Sequence, residues 1–202
     1  MAVTSAPRIV LACVTWANGD LAVLGASGAG ATLPTAALGA SQPPADAADA
    51  LARRTLGRVP AWRSQVGVLR EDDGLSIVYA AVVASGTDAV AEFQWRPVPR
   101  GGGAASLRAA LVHLRERIDR EPVAFRLLGP TFTLSDLQQV YELLLERRLH
   151  KASFRRSLMA AHLIEPTDAW RSEGRGRPAQ LFRYAPRRRR GVQRAVRFDL
   201  LG

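Results

Sequence analysis

Apolar positions fall in short runs broken by turn residues over the first hundred residues, then switch to helical spacing. Residues 9–16 are almost continuously apolar and residues 21–24 entirely so. The Asn18-Gly19-Asp20 between them predicts a hairpin turn, since Asn and Gly tolerate the positive φ such turns need. Residues 25–40, rich in Gly, Ala, Thr and Pro, predict a long loop. A helix is expected over residues 45–56, with Gly57 as its C-terminal cap. Residues 66–69 and 75–84 read as strands around the acidic turn Glu71-Asp72-Asp73-Gly74. Residues 91–96 read as another strand, closed by Pro97 and Pro99, before the flexible run Gly101-Gly102-Gly103. From Ala105, Leu107, Leu111, Leu114 and Ile118 share one helix face.

Beyond Gly129-Pro130 the pattern is more regular. Thr133 followed by Asp136 reads as a helix-opening cap. Leu134, Leu137, Val140, Tyr141 and Leu144 then recur at a period of about 3.6. A second helix is expected over residues 151–162, burying Phe154, Leu158 and Ala161 while Lys151, Arg155 and Arg156 project elsewhere. Residues 163–165 and 180–184 suit a pair of strands joined by a tip at residues 174–178, Gly-Arg-Gly-Arg-Pro. Helix, helix and strand pair in that order are the plan of a winged helix-turn-helix. The chain therefore reads as α+β: a mixed sheet with helices over residues 1–120, a winged helix over residues 121–186, and an Arg-rich tail over residues 187–202.

Charge sharpens this division. From Gly129 onward there are 15 Lys and Arg against 7 Asp and Glu, whereas residues 1–128 hold 13 against 11. All but one of the basic residues are Arg, which fits a GC-rich coding sequence, but such a bias acts on both halves and cannot create the asymmetry. A cationic end is the electrostatic footprint of a nucleic-acid-binding module, because neutralised phosphates release counterions. The single Cys13 rules out an intramolecular disulfide framework and any multi-Cys zinc site, and its apolar surroundings suit a small buried residue. No apolar run reaches the ~18 residues of a membrane-spanning helix. Residues 9–16 read as a strand running into a turn, with no export signal, so a reducing cytoplasm is expected.

The runs FTLSDLQQVYELLL, HKASFRRSLMAAHLIEP and GRGRPAQLFRY closely resemble the C-terminal domain of the Nudix-related transcriptional regulators, the NrtR-type family of bacteria. The matching positions are Phe132, Thr133, Leu134, Leu137, Gln138, Tyr141 and Glu142, then Lys151, Phe154, Arg155, Arg156 and Leu158. Gly176 to Arg183 match as well, except Gln180. His150 stands where the family usually has Asp, and Ala152-Ser153 where it has Arg-Asn. The resemblance implies a degenerate Nudix domain ahead of the winged helix, a homodimer on a double-stranded DNA operator, and ADP-ribose or a related nucleotide as effector.

Laid on the Nudix box, whose end reads R-E-U-x-E-E-x-G-U with U aliphatic, the chain puts Ala36 at the first glycine and Gln42 at the first glutamate. Ala50 and Leu51 fall at Arg-Glu, Arg54 and Thr55 at the paired glutamates, and Gly57 at the glycine near the end. Every carboxylate that would hold divalent metal is replaced, so neither catalysis nor a metal or other cofactor is expected. Two other readings stay open: a ligand-independent DNA-binding protein whose N-terminal half is a dimerisation scaffold, and a divergent Nudix hydrolase.

The side chains expected at DNA are Thr133, Lys151, Ser153, Arg155, Arg156, Arg175 and Arg177. Arg155 and Arg156 are long donors opposite the buried Phe154 and Leu158, suited to guanine edges or phosphates. Lys151, near the helix start, suits phosphate, and Ser153 suits either. Arg175 and Arg177 flank a glycine at the wing tip, where a guanidinium can enter a minor groove. The four arginines at 187–190 form an electrostatic arm or a solubilising tail. His113 and His162 read as packing or surface residues, and His150 as a phosphate contact or a helix cap.

Overall fold

A computed structural model describes residues 6–28, 32–71, 74–172 and 178–185. The hairpin forms as expected, β1 (Arg8–Ala17) pairing antiparallel with β2 (Asp20–Ala26) and Ala17 opposite Asp20. Both turn residues have positive φ, Asn18 at 52° and Gly19 at 81°, the pattern that matches the twist of the flanking strands. The expected loop over residues 25–40 is interrupted by β3 (Thr35–Ala37), which pairs with the opening of β1, and its start belongs to β2. Three residues are too few to show alternation in sequence, and β1 supplies the order.

Helix α1 (Pro44–Leu56) carries Pro in its first turn and ends on left-handed Gly57, whose N–H bonds Arg53 O at 2.9 Å. Strands β4 (Trp62–Glu71) and β5 (Gly74–Val82) form a long antiparallel pair, and β6 (Phe93–Pro97) follows. The sheet order is β4-β5-β1-β2-β6, with β5 parallel to β1 and the other pairings antiparallel. Helix α2 (Ala105–Arg117) buries Leu107 and Leu114, and Ile118 beyond its end is also buried.

The sheet is covered on both faces, which explains why β1 is apolar throughout rather than alternating. Ile9, Leu11 and Cys13 pack with Tyr79, Ala81, Ala48 and Leu51 of β5 and α1. Burial pushes the Cys13 thiol up to about 12, which fits the buried role expected of it.

On the other face, Ala12, Val14, Val23 and Val82 join a cluster that continues through Leu114 to Phe132, Leu137, Val140, Phe154 and Phe182. One apolar core thus runs from the sheet into the winged helix. Between them lies an element the sequence pattern does not show, α3 (Val123–Leu127), whose Val123, Ala124, Phe125 and Leu127 are all buried.

Candidate nucleic-acid interface

The C-terminal module is built from α4 (Leu134–Leu145), α5 (Lys151–Ala160), β7 (Ile164–Arg171) and β8 (Ala179–Tyr184). Strands β7 and β8 pair antiparallel, with an irregularity between Pro166 and Trp170. Phe132 adds an antiparallel bridge to Phe182, so the segment leading into α4 is laced to the wing. Thr133 opens α4 with a reciprocal capping box: its hydroxyl accepts from Asp136 N–H at 3.1 Å, and the Asp136 carboxylate accepts from Thr133 N–H at 2.8 Å.

Phe154 and Leu158 seat α5 in the core, and the Phe154 ring meets Tyr141 of α4 edge-on with centroids 5.6 Å apart. The remaining positions of α5 face outward, except the half-buried Ser157. Lys151, Ser153, Arg155 and Arg156 are exposed, as expected, together with Ala152 and Met159. Ala161, expected to be buried, is only partly so. Lys151, Arg155 and Arg156 have no ion-pair or hydrogen-bond partner among the described residues. Three uncompensated cations exposed along α5 make a surface that attracts phosphate and reaches outward with long donors.

Ser153 Oγ lies 3.2 Å from Nδ1 of His150, the residue preceding the helix. His150 occupies the N-cap position, but its side chain makes no capping bond. Thr133 corrects one expectation: at 3% exposure, with its hydroxyl committed to the cap, it is a structural residue rather than an exposed donor. Arg175, Arg177 and the tail arginines at 187–190 lie outside the described residues.

The turn that aims α5 is held by a residue whose role the sequence pattern does not disclose. The Glu142 carboxylate accepts from Leu149 N–H at 3.0 Å, from the Gln138 amide at 2.9 Å and from Arg148 at 3.0 Å. Gln138 also donates to Leu149 O at 3.1 Å. Burial would raise the Glu142 carboxyl, but those donors, Leu149 foremost, hold it below the usual carboxylate range. The exposed indole of Trp170 on β7 is likewise absent from the expected set, because the sequence pattern predicts that strand only over residues 163–165.

In the N-terminal half, the box-equivalent side chains are spent on structure. Leu51 is in the core, Thr55 is buried and donates to Ala52 O, and Arg54 donates to Thr35 O at 2.8 Å. Leucine, threonine and a guanidinium offer no set of anionic oxygens, so these residues do not fit the divalent metal of a Nudix centre. Among the described residues, no group of three or more His, Cys, Asp or Glu is arranged to hold a metal ion. Among them too, no helix is long and apolar enough to cross a membrane.

Residues 124–184 match the family described as the NrtR DNA-binding winged helix domain. The chain is 37% identical over 79 residues to the ADPR responsive transcriptional repressor NtrR of Acinetobacter baylyi, an alignment covering 39% of this chain and 31% of that relative. The chain thus matches about a third of the length of that curated relative. In fold it is similar to Shewanella oneidensis NrtR crystallised with a 27mer DNA, at a TM-score of 0.72 and 23% identity over 89% of this chain and 93% of that one. It is also similar to a MutT/nudix family protein from Enterococcus faecalis, at a TM-score of 0.66 and 13% identity over 92% and 90% of the two chains. Residues 124–184 thus match the NrtR winged helix domain in sequence, and nearly the whole chain, a mixed sheet with helices followed by that module, resembles NrtR in fold.

Proposed function

We propose that this chain is a sequence-specific DNA-binding transcription regulator. The observation that carries this reading is the exposed face of α5, where Lys151, Arg155 and Arg156 stand without counter-ions on a helix aimed by the Glu142 turn. In this reading α5 enters a major groove, Arg155 and Arg156 reach base edges, Lys151 and Ser153 set the register on phosphates, and Arg175 and Arg177 extend the contact from the wing. The protein works as a cytoplasmic homodimer, because two copies related by a twofold axis match a palindromic operator.

The Nudix-like half serves as a sensor and has no hydrolase activity. Its box positions lack the carboxylates of the reaction, and the Acinetobacter baylyi relative is described as ADPR-responsive, which supports ADP-ribose or a related nucleotide as the signal.

The test is an anisotropy titration of a promoter duplex from the protein's own locus, with and without ADP-ribose and with a scrambled duplex as reference. Preference for the promoter supports the regulator, and a shift of that affinity by ADP-ribose supports the sensor. Promoter preference untouched by ADP-ribose assigns the N-terminal half the role of scaffold. Equal affinity for both duplexes removes the proposal.

A further inference from the structure

A cavity of about 220 Å³ opens where the segment between α1 and β4, the end of β5 and α3 converge. Its walls include Val59, Pro60, Val82 and Ala84, and its two charged lining residues are Arg58 and Arg126. Arg58 and Arg126 are both exposed and come from segments far apart in sequence. Arg58 donates to the Thr87 hydroxyl at 2.8 Å, which steadies one arm of its fork, and the Arg126 guanidinium makes no hydrogen bond or ion pair among the described residues. Among the described residues, no carboxylate lines the cavity. Gln42, Leu51, Arg54 and Thr55 are absent from its lining, so it is a different place from the box.

Two guanidiniums over an apolar floor have a definite chemical complement. A guanidinium presents parallel N–H donors that match two oxygens of a phosphate or carboxylate, and a pair of them balances a dianion. Apolar walls add favourable contact for a small uncharged body attached to that anion.

We infer that this cavity is a binding site for a small phosphate monoester, its phosphate held between Arg58 and Arg126 and its apolar portion against Val59, Pro60 and Val82. The site adjoins the winged helix through α3. Leu127 O accepts from Ser85 N–H at 2.9 Å just beyond β5, and Phe125 stacks on Tyr184 of β8 with ring centroids 4.5 Å apart. A bound phosphate therefore ties the end of the sheet to the helix on which the wing rests.

The experiment is calorimetric titration of the full chain with phenyl phosphate, with phenol as the uncharged reference. Saturable binding of phenyl phosphate is expected, weakened about tenfold or more by Arg58→Gln and by Arg126→Gln, since each removes charge-assisted hydrogen bonds. Both residues are exposed, so the variants should fold, and an unchanged circular dichroism melt checks this. Arg54→Gln should leave the affinity as it is. Absence of binding to the wild type, equal binding of phenol, binding that survives both substitutions, or binding abolished by Arg54→Gln would each overturn the assignment.

Discussion

One oxygen of Asp136 accepts from the Arg171 guanidinium at 2.7 Å while the other accepts from Thr133 N–H at 2.8 Å. A single, largely buried carboxylate therefore caps α4 and fastens the far end of β7 to it. Removing it leaves both an unsatisfied helix end and a half-buried guanidinium without that partner. Asp136→Ala should destabilise the chain by on the order of 2 kcal/mol, the sum of a lost cap and a partly buried pair. Arg171→Gln, which spares the cap, should cost about 1 kcal/mol or less. Urea unfolding of the two variants checks the order, and equal losses would mean that the cap contributes nothing.

Acid should weaken the fold in two stages. His113 is held below its ordinary 6.5, first by burial and then by the charge of Arg117, so the folded chain keeps it neutral where the unfolded chain protonates it. Its contribution is complete above about pH 6.5 and declines as pH falls through the lower folded value. Burial would raise Glu71 and Glu142, yet both lie below their ordinary 4.5. Ser106, Ser76 and Arg8 hold Glu71 down, and Leu149, Gln138 and Arg148 hold Glu142. Their share is present above about pH 4.5 and lost as pH falls through the folded values. Urea midpoints between about pH 8 and about pH 2.5 should show both stages, and His113→Gln should flatten the first. A variant with the wild-type slope near neutrality would exclude His113.

Local patterns were legible wherever a single residue type decides the backbone. Asn18-Gly19 marked the hairpin, Gly57 ended α1, and Thr133 with Asp136 opened α4. The apolar spacing of Phe154 and Leu158 gave the outward face of α5, and with it the cations of the proposed interface. What escaped depends on partners distant in sequence. Strand β3 is defined by its pairing with β1, and α3 is too short to show a helical period. Strand β4 starts earlier than expected because Arg63 and Gln65 face outward and interrupt the apolar signal. The part Glu142 plays in the turn before α5 depends on donors from Leu149 and Arg148, which no spacing rule brings together.

The shared core bears on how the chain can be divided. A fragment of residues 1–120 lacks α3 and α4, which contact β1, β5 and β2, and is without the bond from Gln139 Nε2 to Gly19 O at 2.6 Å. We expect this fragment to melt well below the full chain and to aggregate through the uncovered sheet face. A fragment with the melting temperature of the full chain would show that the sheet needs no cover from the winged helix. Sedimentation for the dimer is therefore best done on the full chain.

No metal-dependent hydrolysis of ADP-ribose is expected, because Gln42, Leu51, Arg54 and Thr55 stand where the carboxylates of the box would be. Product formation with Mg2+ or Mn2+ is the measurement. Turnover abolished by Gln42→Ala or Arg54→Ala would make the box an active site after all, whereas turnover indifferent to both would place a reaction elsewhere.

The most direct measurement compares promoter and scrambled duplexes at several salt concentrations for the wild type, Arg155→Ala and Arg156→Ala. We expect the wild type to prefer the promoter, and substitution of whichever arginine reads a base to cost about 1–3 kcal/mol per half-site and relax one operator position. Neutralising Arg175, Arg177 or the tail arginines should instead weaken both duplexes together and lower the salt slope by about 0.9 for each phosphate that is no longer neutralised. Equal wild-type affinity for the two duplexes, unchanged by Arg155→Ala and Arg156→Ala, would mean that the outward face of α5 is solvated surface and that the protein does not read sequence.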